Sequence, residues 1–270
     1  IPVPVPLPLP PPPRPQPLPR PLPRRTTTAD EAAVAVAAMW SHGPDSQVVC
    51  RVNNDPICRR SMHSLRPGQW LSDEVIHGYL ALLFARHHQS FSHRRQCAFY
   101  KSFFMTSLTQ EFHDDLSIRG TYNHSNVARW SRRVAPRGGT IFDLDKLFIP
   151  INVDRSHWVG IMVSFQSQTI HFYDSGRHPL PGTGYLSMVL RYLDDEHRIH
   201  RGAPLPSSWR TFGSQPSTPR QPNGYDCGVY CCHFADRLIH GHSLAVPYNH
   251  IALYRGWMAY CLMNGALPAV

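Results

Sequence analysis

No stretch of this 270-residue chain approaches the roughly 20 uninterrupted apolar residues that a membrane helix needs. Its proline-broken opening also lacks the basic start, apolar middle and small-residue end of a secretory signal. The expectation is an intracellular protein with no membrane partner. Regular cysteine spacing is missing too. The seven cysteines are an odd set in which Cys231 and Cys232 are adjacent, which argues for reduced thiols over a secreted disulfide framework. Neither Cys50 with Cys58 nor the Cys231-Cys232-His233 cluster has the paired, two-residue-spaced partner of a zinc site, so no metal is expected. Acidic residues are sparse: 18 against 27 basic ones leave a formal charge of +9, which brings nucleic acid into consideration. The basic residues are scattered in pairs such as Arg59-Arg60 and Arg132-Arg133 instead of forming a stripe, so nucleic acid is not the expected partner.

What the chain does have is ample core material, with 42% apolar residues and 11% aromatics. Residues 1–25 alternate proline with aliphatic residues, which excludes helix and central strand and predicts a polyproline II arm or linker. Such an arm also suits an SH3-like or WW-like partner. With no initiator methionine, the chain reads as a fragment of something longer. Residues 26–49 read as a linker with a short helix after Thr28, and the stretch from there through "RPGQW" as loop-rich, with the folded domain spanning 50–270. Ser72 caps an amphipathic helix "DEVIHGYLALLFARHH" with Val75, Ile76, Tyr79, Leu80 and Leu83 on one face. Residues 99–108 fit strand or helix, and 125–134 a short helix. "KLFIPINV", "HWVGIMVSF" and "QTIHFYDS" are short apolar, β-rich runs separated by turn residues, as in a buried sheet. Helices return at 185–197, 227–240 and 251–263, with a loop-rich stretch over 204–222. Helices, then strands, then helices predict an α+β fold.

Within that frame "QPNGYDCGVYCCHFAD" places Cys227 where a tight loop turns into a helix. A helix N-terminus offers unpaired N–H groups and a positive dipole end, a setting that favours a thiolate; the competing explanation is a small core residue. Thiol catalysis needs a base, a group to orient it, and oxyanion donors. His157 opens one expected strand and Asp174 closes the next, so neighbouring strands bring imidazole and carboxylate together. Six residues before the thiol, Gln221 can fold its carboxamide back beside it. The chain order His, Asp, Gln, Cys excludes papain-like proteases.

"SHWVGIMV", "IHFYDS" and "QPNGYDCGVYCC", together with "RPGQWLSDEVIHGYLALL" and "DKLFIPINV", resemble the SUMO-protease family of ubiquitin-like-protein peptidases, within the adenovirus-endopeptidase-like superfamily. The likeness runs from about Leu65 to the end of the last helix. It implies a cysteine-protease fold with a central mixed sheet flanked by helices and the nucleophile at a helix N-terminus. It implies His157 as base, Asp174 as its orienting group, Gln221 as oxyanion donor and Cys227 as nucleophile, with no cofactor. Trp70 and Trp158 take the positions that roof a channel for a Gly-Gly tail, and Asp73 an acidic position that faces the modifier. Taken singly, Trp158 fits core, Asp174 an ordinary turn and Asp73 plain helix N-terminal charge. The activity implied is cleavage after the Gly-Gly terminus of a modifier, most naturally SUMO, in a nuclear protein. The alternatives are a NEDD8- or ubiquitin-directed or viral or transposon-type endopeptidase of the same fold, and a catalytically silent module that binds a ubiquitin-like protein. The loop "GAPLPSSWRTFGSQPSTPR" departs from the family pattern and leaves specificity open.

Overall fold

The structure is a computed structural model that describes residues 36–37, 40, 43–92, 95–109 and 121–267. The proline-rich arm lies outside the described residues, and the short helix expected after Thr28 is described only at Val36, Ala37 and Trp40, which are helical.

The first described elements correct the loop-rich expectation for the stretch before Trp70. Strands β1 (Val48–Val52) and β2 (Asp55–Cys58) form an antiparallel hairpin, and helix α1 (Arg59–His63) follows at once. Asn53 and Asn54 both have positive φ, 50° and 69°, the backbone that a two-residue hairpin turn demands and that asparagine tolerates. An Asn-Asn pair directly after the apolar run that ends at Val52 was the signal.

Helix α2 (Asp73–Ser90) is the amphipathic helix of the sequence, extended by two residues. Ser72 Oγ accepts from Val75 N at 3.4 Å, and Asp73 and Glu74 occupy the first turn, where they complement the helix dipole. All five residues of its expected apolar face are fully buried. The ambiguous stretch 99–108 divides: β3 (Cys97–Phe99) precedes helix α3 (Phe103–Thr109). The short helix expected at 125–134 splits similarly into a 3-10 turn at His124–Asn126 and helix α4 (Trp130–Val134).

The central sheet has five strands in the order β3-β4-β5-β6-β7, where β4 is Lys146–Val153, β5 His157–Ser164, β6 Thr169–Asp174 and β7 Arg210–Phe212. The β3/β4 and β6/β7 pairs are parallel and the two between are antiparallel, so the sheet is mixed. Pro150 sits in β4 without breaking it because β3 pairs only as far as Phe148, so no neighbour on that side requires its missing N–H. Opposite Pro150 stands Gly160, where a Cβ would lie 2.6 Å from the Phe148 ring. Strand β7 lies inside the stretch expected to be loop; three residues, two of them exposed, give no periodicity to detect.

Alternate residues of the sheet feed two cores, as the two-residue period of strands requires. Leu147, Ile149, Val159, Ile161 and Phe172 face α3 and helix α5 (Thr183–Arg201). Phe148, Trp158, Met162 and Tyr173 face α2, helix α6 (Cys227–Ile239) and helix α7 (Tyr248–Asn264). The result is the α+β architecture expected: a mixed sheet flanked by helices on both faces. No described helix is long and apolar enough to cross a membrane.

Candidate active site

The tight β4–β5 connection determines where His157 lies. Asp154 and Arg155 both adopt positive φ, 51° and 57°, Ser156 N donates back to Val153 O at 3.0 Å, and His157 becomes the first residue of β5. Strand register then selects its partner. Asp174, the last residue of β6, pairs with Val159, and residues two apart on a strand share a face, so Asp174 and His157 are diagonal neighbours. His157 Nε2 lies 2.6 Å from Asp174 Oδ1.

The carboxylate is held from every side. Asp174 Oδ1 also accepts from Gly176 N at 2.7 Å, Oδ2 accepts from Leu180 N at 2.8 Å, and the Arg220 guanidinium donates to its backbone carbonyl. Burial works to neutralise this carboxyl, yet its bonds to His157, the histidine's charge and the two backbone donors keep its pKa below the usual range. With the imidazole the balance is reversed in sign. Burial is the largest influence and disfavours the cation, but hydrogen bonds with Asp174 and Cys227 and their negative charges outweigh it and raise the His157 pKa to about 10.

Cys227 is the first residue of α6 and is 1% exposed. Its thiol is one of the groups that raise the pKa of the His157 imidazole, whose Nε2 is taken by Asp174. His157 and Asp174 arrive on the sheet while Cys227 arrives on a helix packed against it, and the three meet at the end of β5 and β6. Cys231 and Cys232 lie a turn deeper in α6, fully buried, and burial drives both thiols far from ionising. All seven cysteines are free. Among the described residues no group of three or more His, Cys, Asp or Glu side chains is placed to hold a metal ion.

Gln221 is 5% exposed and its carboxamide is oriented by two bonds. Oε1 accepts from Ser175 Oγ at 2.8 Å, and Nε2 donates to Asn223 O at 2.7 Å, leaving one N–H of the amide for another acceptor. The backbone is tied as well, with Gln221 N donating to Ser175 O at 2.7 Å. Sequence reasoning missed Ser175, although it directly follows Asp174.

The remaining candidates divide by exposure. Trp70 is 53% exposed and its indole N–H donates to Gly224 O at 2.8 Å, so it leans across the loop before Cys227. Trp158 is only 3% exposed, lies in the core and donates to Leu71 O at 3.1 Å. Asp73 is exposed at the start of α2, where Ser102 Oγ donates to its Oδ1 at 2.6 Å.

Residues 69–259 match the family model for the Ulp1 protease family, C-terminal catalytic domain. The chain belongs to this family. Ubiquitin-like-specific protease 1A of Arabidopsis thaliana is 31% identical over 229 residues, covering 83% of this chain and 43% of the relative. Human Sentrin-specific protease 2 is 25% identical over 228 residues, 84% of this chain and 35% of the relative. The chain thus spans less than half the length of either Ulp1-family relative. The solved C-terminal Ulp1 protease domain in complex with Smt3, the yeast ortholog of SUMO, superposes with a TM-score of 0.69 at 23% identity, covering 87% of this chain and 95% of that one. For the Chaetomium thermophilum Ulp1-like SUMO protease catalytic domain the TM-score is 0.73 at 22% identity, covering 89% and 91%. At those identities the likeness establishes the Ulp1-type fold.

Proposed function

We propose that this chain is a cysteine peptidase that cleaves after the Gly-Gly terminus of a ubiquitin-like modifier, SUMO in preference to NEDD8 or ubiquitin. The observation that carries this reading is the His157–Asp174 contact of 2.6 Å with Cys227, at a helix N-terminus, acting on the same imidazole. Protonated His157 supplies the counter-charge that a thiolate needs. The Cys227 thiolate attacks the carbonyl of the terminal glycine, and the developing oxyanion is met by the Cys227 N–H and the free N–H of Gln221. His157 gives its proton to the leaving amine; water, deprotonated by His157, then hydrolyses the thioester and releases the thiolate beside a reprotonated His157. Asp174 holds the imidazole in orientation and stabilises its charge.

Trp70 and Trp158 flank the approach to Cys227, and a tail of residues without side chains is what passes beneath two indoles. Asp73 offers a carboxylate to a basic residue of the modifier. The preference for SUMO rests on the company this chain keeps, among them a relative named Sentrin-specific protease 2 and a fold neighbour solved in complex with Smt3.

A panel of SUMO, NEDD8 and ubiquitin probes, each with an electrophile at its C-terminus, tests the reading. The expected result is a covalent adduct at Cys227 that forms fastest with SUMO and is lost in Cys227→Ala. Faster labelling by NEDD8 or ubiquitin reassigns the modifier, and labelling by none leaves a silent binding module.

A further inference from the structure

Aspartate at the residue before a helix ordinarily turns its carboxylate onto the first free N–H groups. Asp226 occupies that position before α6 and makes no such bond. Both of its oxygens are engaged elsewhere. Oδ1 accepts from Arg255 Nε at 2.8 Å and lies 2.7 Å from Arg255 Nη2, while Oδ2 accepts from Asn223 Nδ2 at 2.8 Å. Arg255 comes from α7 and is 3% exposed. Its remaining N–H groups donate to Ser64 O (3.1 Å), Arg66 O (3.2 Å), Gln69 O (2.8 Å) and Tyr225 O (2.8 Å).

We infer that Arg255 is a positioning residue for the nucleophile: it draws the Asp226 carboxylate away from the N-terminus of α6, leaving those N–H groups and the positive helix end to Cys227 and the oxyanion. Released from Arg255, the carboxylate would swing to the cap it normally makes. It would then occupy the donors that the oxyanion needs and set a second negative charge beside the thiolate. Through Gln69 and Tyr225 the same guanidinium also ties the Trp70 loop to the nucleophile loop. A lysine would carry the charge but not the fork of donors that reaches five carbonyl and carboxylate acceptors at once. The inference rests on Cys227 being the nucleophile.

The test is the rate at which iodoacetamide alkylates Cys227 in the full chain at neutral pH, with the modified cysteine mapped by mass spectrometry. This reagent needs no modifier and is small enough to reach a thiol that is only 1% exposed. Arg255→Met should slow alkylation by about tenfold or more, the scale of a charge placed at a partly buried helix end, and Arg255→Lys should recover only part of the loss. Because removing one partner of a buried pair destabilises the fold, the deciding variant is Arg255→Met with Asp226→Ala, which removes both the charge and the capping oxygen that Arg255 holds back. Recovery of the alkylation rate in the double variant supports the inference. A double variant that is folded by circular dichroism and as slow as Arg255→Met overturns it, as does a single variant that melts lower but alkylates at the wild-type rate. No alkylation of Cys227 in the wild-type chain, whatever the half-buried Cys50 and Cys58 do, overturns the nucleophile assignment itself, and is distinguished by the mapped positions.

Discussion

At the scale of single residues, the chemistry turns on which proton is held where. With its pKa raised to about 10, His157 is charged at neutral pH and loses its proton only in alkali. A raised pKa means that its contribution to stability is complete below the ordinary 6.5 and disappears as pH rises through about 10. Turnover should follow the same limb, with kcat/KM flat through mildly alkaline pH and falling near 10. Asp174→Asn removes a charge that supports the cation, so it should move that limb to lower pH and cut turnover by up to about 10⁴-fold while substrate binding persists; a pH–rate profile of both proteins checks this. Cys227→Ala should abolish turnover and leave the thermal midpoint near wild type, since alanine suits a helix start. Ser175→Ala strands the buried Gln221 Oε1 without its donor and frees the amide to rotate. The expected outcome is a kcat reduced by up to about 10²-fold with KM unchanged, the signature of a lost oxyanion donor.

At the scale of elements, the seating of α6 is what brings the thiol to the imidazole. Gly228, its second residue, lets the helix end approach the Trp70 loop; a Cβ there would meet Leu71 Cβ at 2.9 Å. Gly228→Ala therefore sets two effects against each other. Helix propensity improves by up to about 1 kcal/mol, while the end of α6 is pushed off Leu71, whose carbonyl also anchors Trp158. A displacement of about 1 Å is enough for a hundredfold loss of rate. Turnover should fall far more than the thermal midpoint, and measuring both on one variant separates displacement from unfolding. Trp158 itself is a core residue, so Trp158→Ala should cost about 3–5 kcal/mol of stability in addition to any effect on rate.

At the scale of the whole molecule, the sheet has a core on each face and the candidate site at one end, where strands, the α6 N-terminus and the Trp70 loop converge. If the two indoles enclose a Gly-Gly tail, a substrate with leucine in place of either glycine should be cut at a small fraction of the normal rate, because overpacking between fixed walls is costly. Residues 1–25 lie outside the family match, and a chain lacking them should retain the kcat/KM of the full chain toward the same substrate. Much of this was legible in the sequence because periodicity and motif order survive without coordinates. The apolar face of α2, the limits of β4 and β5, and the order of His157, Asp174, Gln221 and Cys227 are local or linear properties, fixed by side-chain period and chain direction. The hairpin at Asn53-Asn54 carried a local signal that a loop-rich reading passed over. What only the tertiary structure decided is which distant groups share a hydrogen bond: Ser175 on Gln221, Trp70 on Gly224, and Arg255 on Asp226 across 29 positions. Those bonds depend on how a helix packs against a sheet. A buried arginine reaching five acceptors looks, in sequence, like any charge on a helix.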